Sequence, residues 1–313
     1  MGEAQIPHLD FCVGALGLEQ KGTEEWKDMS KRVREACETH GCFLVAYDKI
    51  PMHQREEMIV KLEALFDLPE ETKKKYTDGT FLRSYLRNSN ESFGIPDATM
   101  FDVAQAFTSL MWPEGNTSFC ETLHSMSSKM LELSFIILEM ILSSFGLEKH
   151  YESDLGNNAS SVRLIKYKAP LTNDQPAIGV LAHTDTSILT ILCQNEVQGL
   201  EVLSKDGNWV PVIIPKGCFT VFVGDALQAW SNGRLWAPNH RVRMSGHEDR
   251  YSWGLFLSPK EGTSIEVPEE LVDTDHPLRY RPFVHSDYLS FYLANLNTSH
   301  EVQDELLKIY AGV

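Results

Sequence analysis

Apolar positions recur at three- and four-residue spacing through most of the first 150 positions, the mark of helices that bury one face. Trp26, Met29, Val33 and Cys37 form such a stripe within 24–40, and Gly41 supplies a left-handed stop. A short apolar run at 42–47 reads as a strand. Met58, Leu62 and Leu65 define a second helix over about 51–66, with Pro69 beginning the next turn. The longest stripe runs through Phe119, Leu123, Met126, Met130, Leu133, Ile137 and Ile141 and predicts a helix over about 117–145. Its apolar face is assigned to the core rather than to a cofactor.

From about Ser160 the period shortens to β-branched and aromatic runs: VRLIKY, GVLAH, SILTIL, GLEVL, WVPVII, CFTVFVGD, HRVRM and YSWGLFL. So many short strands imply a sandwich or barrel. Asp206-Gly207-Asn208, Pro215-Lys216-Gly217 and Asn232-Gly233 read as hairpin turns, which makes the expected sheet an antiparallel meander. After Pro282 the helical spacing returns through Tyr288, Phe291, Tyr292 and Leu296, then Val302, Leu306 and Ile309. With no linker or repeat, the chain reads as an α+β, mainly β-cored single domain, 1–313. A helical region (1–157) leads into a core at about 158–262, and further helices (263–313) follow.

Charge narrows the partners. Against 28 Lys and Arg stand 44 Asp and Glu, a net charge of −16 that repels phosphate backbones and anionic lipid and excludes nucleic-acid and membrane-surface roles. The six cysteines form no CxxC pair, so neither a thiolate zinc site nor a redox dithiol is suggested. The N-terminus lacks a basic and apolar secretory signal, and the longest apolar stretch, broken by Glu139, falls short of the roughly 20 residues that cross a bilayer. The expectation is a soluble, cytoplasmic protein, monomeric, with a small molecule as its partner.

A His-x-Asp pair on a strand points an imidazole and a carboxylate to one face, where both can reach a single metal. His8-Leu9-Asp10 lies at the chain start and His285-Ser286-Asp287 leads into the last helices, where Ser286 or Asp287 fits a helix cap. His183-Thr184-Asp185 sits within the β-core and is the favoured pair. His240, opening HRVRM, supplies a third ligand from another strand. Two His and a carboxylate with open positions suit non-haem Fe(II) oxygenases, although zinc hydrolases use similar sets. Arg250 and Ser252 separate these alternatives: they share a strand face, and a guanidinium fork with a nearby hydroxyl suits a dicarboxylate co-substrate.

HTD, HRV and RYS in this order, behind N-terminal helices, resemble the plant 2-oxoglutarate- and Fe(II)-dependent dioxygenases over nearly the whole chain. LFDLPEETK (65–73), MWPEGN (111–116) and WSNGR (230–234) resemble the branch with the alkenyl hydroxyalkyl-producing enzymes, deoxypodophyllotoxin synthase and the auxin-oxidising dioxygenases. The resemblance implies a double-stranded β-helix (jelly roll) wrapped by helices. It also implies Fe(II) on His183, Asp185 and His240, with 2-oxoglutarate and O2 as co-substrates and ascorbate as the reductant in vitro. Arg250, Ser252 and Tyr167 are the implied co-substrate residues. The family's Asn-Tyr-Tyr motif is incomplete, since Ile165 and Lys166 precede Tyr167.

Strand alternation puts Arg163 on the Tyr167 face, within reach of a substrate. Thr108, Phe256 and Ser258 are further pocket candidates, and Phe291 and Tyr292 a candidate lid. The implied activity is oxidation of a small, largely apolar specialised metabolite or hormone by hydroxylation, desaturation, ring closure or O-demethylation, releasing succinate and CO2. The alternatives are a non-catalytic, metal-containing small-molecule binder and a cupin-type zinc or manganese enzyme.

Overall fold

The computed structural model describes residues 5–12, 17–150, 157–170, 177–295 and 305–313. Strand β1 (His8–Asp10) precedes α1 (Glu24–Thr39), β2 (Cys42–Ala46), α2 (Met52–Phe66) and the single turn α3 (Glu70–Lys73). The Thr23 side chain caps α1 by accepting from the Trp26 amide. Gly41 stops it at φ +68°, where a Cβ would lie 2.3 Å from the Trp236 carbonyl oxygen. A hairpin of β3 (Ser84–Arg87) and β4 (Glu91–Pro96) follows, then α4 (Phe101–Met111) and α5 (Thr117–Phe145). The 117–145 stripe is thus a helix over its whole expected length.

The second half carries β5 (Asn158–Tyr167), β6 (Ala177–His183), β7 (Leu189–Gln194), β8 (Leu200–Leu203), β9 (Trp209–Pro211) and β10 (Cys218–Val223). Helix α6 (Asp225–Trp230), β11 (His240–Met244), β12 (Arg250–Pro259), β13 (Ser264–Ile265), β14 (Phe283–Val284), α7 (His285–Ala294) and α8 (Leu306–Ala311) complete it. Leu296 and Val302, read as part of the last helical stripe, lie outside the described residues.

Among the described residues the strands form a major sheet, β1-β2-β10-β7-β12-β5-β4-β3, and a minor sheet, β6-β11-β8-β9, with β13 and β14 paired apart. The chain passes between the two larger sheets at β5 to β6, β6 to β7, β7 to β8, β9 to β10, β10 to β11 and β11 to β12. This is the two-sheet winding of a jelly roll and corrects the expected meander. Alternation within a strand survives either topology, because it records only which face is buried.

Two of the expected hairpin turns also change, and the N-terminal region, helical as expected in α1, α2, α4 and α5, adds β1 to β4 to the major sheet. Buried Lys73 on α3 donates to Glu91 at 2.8 Å and Tyr85 donates to the same oxygen at 2.9 Å, pinning the β3–β4 hairpin. Of the three turns, only the one at 206–208 closes a hairpin, between β8 and β9. The turn at 215–217 leads from one sheet to the other, and Asn232-Gly233 follows α6 with both residues at positive φ.

The outer face of the major sheet, including Val45, Val221, Ile191, Trp253, Leu255 and Leu164, forms one apolar cluster with α5 residues such as Leu123, Met126 and Ile137. Each such side chain stabilises the fold by roughly 1.5–3 kcal/mol on burial. The inner face and the minor sheet enclose a second cluster with Leu44, Tyr167, Val202, Val242 and Phe222. No helix of the described residues is long and apolar enough to cross a membrane.

Candidate metal and diacid site

His183 ends β6 and His240 begins β11 directly opposite it in the antiparallel register. The chain then turns through Asp185 towards β7. The ring centroids of His183 and His240 are 4.3 Å apart, and their Nε2 atoms lie 3.7 and 3.8 Å from Asp185 Oδ1. Ligand atoms of all three fall within 4.8 Å of one another. Among the described residues no other group of three His, Cys, Asp or Glu converges in this way. That separates the competing His-x-Asp pairs.

His8-Leu9-Asp10 is an edge strand pairing with β2. His285 begins α7, whose N-cap is Val284 without a side-chain cap, so the capping role expected of Ser286 or Asp287 is absent. A fourth pair, His247-Glu248-Asp249, escaped the comparison. Asp249 there accepts from the Ala169 amide and pairs with Lys166.

Backbone carbonyls set both imidazoles. Nδ1 of His183 donates to the Leu181 carbonyl at 2.9 Å and Nδ1 of His240 to the Pro238 carbonyl at 3.3 Å, so each Nε2 keeps its lone pair towards Asp185. Burial holds His240 neutral, well below the ordinary imidazole range. Its ring stacks on Phe222 at 4.5 Å. Asp185 Oδ2 is buried without a hydrogen-bond partner. A buried carboxylate with one oxygen unpartnered and the other, Oδ1, facing two imidazole lone pairs is unfavourable on its own and is resolved by a shared cation. The donor set thus fits a divalent transition metal.

The turn carrying Asp185 is held from behind by Asp225, which the sequence reading did not single out, and by residues of α7 in roles it did not expect. Tyr288 donates to Asp225 Oδ2 at 2.6 Å and Thr184 to the same oxygen at 3.0 Å, while the Asp225 amide donates to the Asp185 carbonyl at 2.7 Å. Burial pushes the Asp225 carboxyl up to about 7. Tyr292 donates to the Thr184 carbonyl and His285 Nε2 to the Thr186 carbonyl, both at 2.8 Å. The available signal was an acidic residue closing the wholly buried run CFTVFVGD.

Burial also holds His285 below the usual imidazole range, outweighing its hydrogen bond to Thr186. The unfolded chain therefore takes up the extra proton, and this contribution to stability is full above about pH 6.5 and is lost as the pH falls below it. Asp225, raised by burial, has the opposite sign. His285→Gln keeps a donor for Thr186 and should flatten the decline in melting temperature between pH 7 and pH 5.5, checked by thermal unfolding of parent and variant across that range.

The second feature lies on the inner face of the major sheet. Arg250 is fully buried, with Nε and Nη2 donating to Gln194 Oε1 at 3.2 and 2.7 Å and Nη1 to Ser252 Oγ at 3.4 Å. Its guanidinium lies 4.7 Å from the Tyr167 ring centroid. Burial lowers its pKa, and all these partners are neutral. A buried guanidinium without a counter-charge is a carboxylate acceptor. Gln194 was missed, although it is the cross-strand neighbour of Ser252 and the polar end of an apolar strand. Ile165, opposite Ser252, packs with the inner cluster and forms an apolar wall beside this clamp.

The other candidates divide. Phe256 and Ser258 share the Arg250 face of β12, and Arg163 shares the Tyr167 face of β5. Thr108 is corrected: it is buried in α4, donates to the Ala104 carbonyl, and belongs to the helical layer of α4 and α5 on the other side of the major sheet. Phe291 and Tyr292 form no lid. Phe291 packs on Tyr310 at 5.1 Å, and Tyr292 anchors Thr184 from behind. A separate cleft of about 430 Å³ lined by Arg34, Arg234 and Arg279 contains none of the triad.

Comparison with known proteins gives a consistent result. Residues 159–259 match the model of the 2OG-Fe(II) oxygenase superfamily, and residues 6–117 match that of the non-haem dioxygenase N-terminal region from morphine synthesis. A probable 2-oxoglutarate-dependent dioxygenase, AOP1 of Arabidopsis thaliana, is 39% identical over 92% of this chain and 96% of its own length. The crystal structure of the rice dioxygenase for auxin oxidation superposes with a TM-score of 0.82 at 32% identity, covering 99% of this chain and 100% of that one. The 2-oxoglutarate complex of the Arabidopsis thaliana enzyme for auxin oxidation gives 0.77 at 29% identity, over 87% and 100%.

Proposed function

The chain belongs to the plant 2-oxoglutarate- and Fe(II)-dependent dioxygenases, and on that premise we propose how its residues divide the work. His183, Asp185 and His240 hold Fe(II), while Arg250, Ser252 and Tyr167 grip the far carboxylate of 2-oxoglutarate. The observation that carries this reading is a buried carboxylate, Asp185, with Oδ2 unpartnered and Oδ1 lying 3.7 and 3.8 Å from two imidazole Nε2 atoms, in a protein that also holds a buried guanidinium without a counter-charge on the inner face of the major sheet. The N-terminal region (1–157) and C-terminal helices (263–313) support the core at 158–262 as one working unit.

When bound, iron with O2 and the keto acid supplies the oxidation of one substrate C–H bond, and 2-oxoglutarate leaves as succinate and CO2. The protein positions the reactants. The two backbone carbonyls behind the imidazoles fix their orientation, Gln194 aims the guanidinium fork, and Ile165 with Leu192 keeps water from the inner face. Phe256 and Ser258, on that same face, line the approach of the substrate.

The substrate is a small, largely apolar plant metabolite or hormone, a reading supported by the rice relative named for auxin oxidation and by the exposed apolar Phe81 and Leu82 beside the inner face. Hydroxylation, desaturation, ring closure and O-demethylation share the first oxidative step. Protein incubated with Fe(II), ascorbate, 2-oxoglutarate and fractionated plant metabolites should form succinate in step with a product gaining one oxygen, losing two hydrogens or losing one methylene. Zinc-supported turnover without keto acid would establish the cupin reading. Absence of succinate with every fraction would favour a binder without turnover.

A further inference from the structure

Each imidazole of the metal site is aimed by the backbone carbonyl bonded to its Nδ1, but the third ligand has no such device. Asp185 Oδ2 is buried without a hydrogen-bond partner, and Oδ1 faces the two Nε2 atoms at 3.7 and 3.8 Å, beyond hydrogen-bond reach. The direction of this carboxylate therefore follows from the backbone that carries it between β6 and β7.

That backbone is held at every carbonyl from Thr184 to Ile188, by donors from two helices. Three donors are amides at the start of α6: Asp225 to the Asp185 carbonyl at 2.7 Å, Ala226 to that of Ser187 at 3.2 Å and Gly224 to that of Ile188 at 3.0 Å. The first amides of a helix have no partner within it, so the turn and α6 satisfy each other. Glycine at 224 allows the approach, because a Cβ there would collide with the Ser187 carbonyl oxygen. The other two donors are α7 side chains, the Tyr292 hydroxyl to the Thr184 carbonyl and His285 Nε2 to that of Thr186, both at 2.8 Å. Tyr288, about one helical turn before Tyr292, reaches the same segment through Asp225. Its hydroxyl donates to Asp225 Oδ2 at 2.6 Å, and this oxygen also accepts from Thr184 Oγ1 at 3.0 Å. Behind α7 lies α8, whose Tyr310 ring sits 5.3 Å from that of Tyr288.

We propose that Tyr288 and Tyr292 are positioning residues for the metal ligand Asp185, so that α7, backed by α8, sets how tightly the iron is held. Neither hydroxyl bonds to a metal-ligating side chain; they act through Asp225 and Thr184. Removing one of them leaves its ring and the packing of that ring in place. What is lost is a donor that fixes the turn, and the carboxylate of Asp185 has no hydrogen bond of its own to compensate. This assignment rests on the Fe(II) site of the dioxygenase reading and adds the part of the chain that tunes it.

The test is anaerobic titration calorimetry of Fe(II) into the full chain, as parent, Tyr288→Phe, Tyr292→Phe and Tyr280→Phe. Tyr280 is the comparison: it is buried beside α6, and its hydroxyl accepts from Gln228 at 3.1 Å without touching the turn. Tyr288→Phe and Tyr292→Phe should each weaken Fe(II) binding by about tenfold or more, the usual worth of a group that orients a metal ligand from outside. Tyr280→Phe should stay within about twofold of the parent, even where the metal-free melting temperatures of all three fall by similar amounts. Circular dichroism and those melting temperatures establish folding, and if Tyr288→Phe fails to fold, Tyr292→Phe carries the test. Folded Tyr288→Phe and Tyr292→Phe that bind Fe(II) as the parent does, or an equal loss in Tyr280→Phe, overturn the assignment. A parent that binds no Fe(II) overturns the metal-site reading itself, an outcome distinct from a parent that binds and variants that match it.

Discussion

Asp185→Asn yields a folded protein that fails to retain iron and forms succinate about 1,000-fold more slowly, a loss of roughly 4 kcal/mol of transition-state stabilisation. The substitution is isosteric and leaves the backbone carbonyl of residue 185 to accept from the Asp225 amide. What it removes is the negative charge between the two Nε2 atoms. In the metal-free protein that charge is a burden, because Asp185 Oδ2 is buried without a donor. Removing it should leave the metal-free melting temperature unchanged or higher, whereas Asp residues held by ordinary hydrogen bonds stabilise the fold. Thermal unfolding with and without Fe(II) under anaerobic conditions reads both effects: the parent gains stability from the ion, and Asp185→Asn does not. A variant that melts far below the metal-free parent and still gains from iron would assign Asp185 to the scaffold instead.

Much of this was legible because the signals are local. The 117–145 stripe and the alternation of β12 are set by which faces are buried, and those patterns repeat within a few residues. The triad was legible because His183 and Asp185 flank a turn within an apolar core and HRVRM supplies the remaining imidazole. Sheet order was not, since the partners of β7 and β10 are distant in sequence and the same alternation fits a meander or a jelly roll. The β3–β4 hairpin was hidden by its short, polar-rich strands, whose place is fixed by pairing with β5 and by the buried contact of Lys73 with Glu91. The aromatic residues of α7 looked like a lid because sequence gives their spacing but not their direction. In space, Tyr288 and Tyr292 send hydroxyls to Asp225 and Thr184 behind the turn.

Arg250→Met should raise the 2-oxoglutarate requirement by about 100-fold or more while iron affinity stays within about twofold, since the guanidinium touches none of the three metal-ligating side chains. Methionine fills the volume without charge, so the metal-free protein is expected to be at least as stable as the parent. Lysine should not restore the requirement. Gln194 Oε1 and Ser252 Oγ are placed for a planar fork, and an ammonium offers one point charge where two parallel donors are needed. Gln194→Leu serves as the intermediate case, because it removes the acceptor that aims Nε and Nη2 but leaves the charge in place. Its 2-oxoglutarate requirement should rise by about tenfold, with kcat at saturating 2-oxoglutarate close to that of the parent. Steady-state kinetics with 2-oxoglutarate varied and Fe(II) saturating separate these outcomes. Equal effects of Met and Lys at position 250, with a smaller effect at position 194, follow only if geometry as well as charge sets the grip on the diacid.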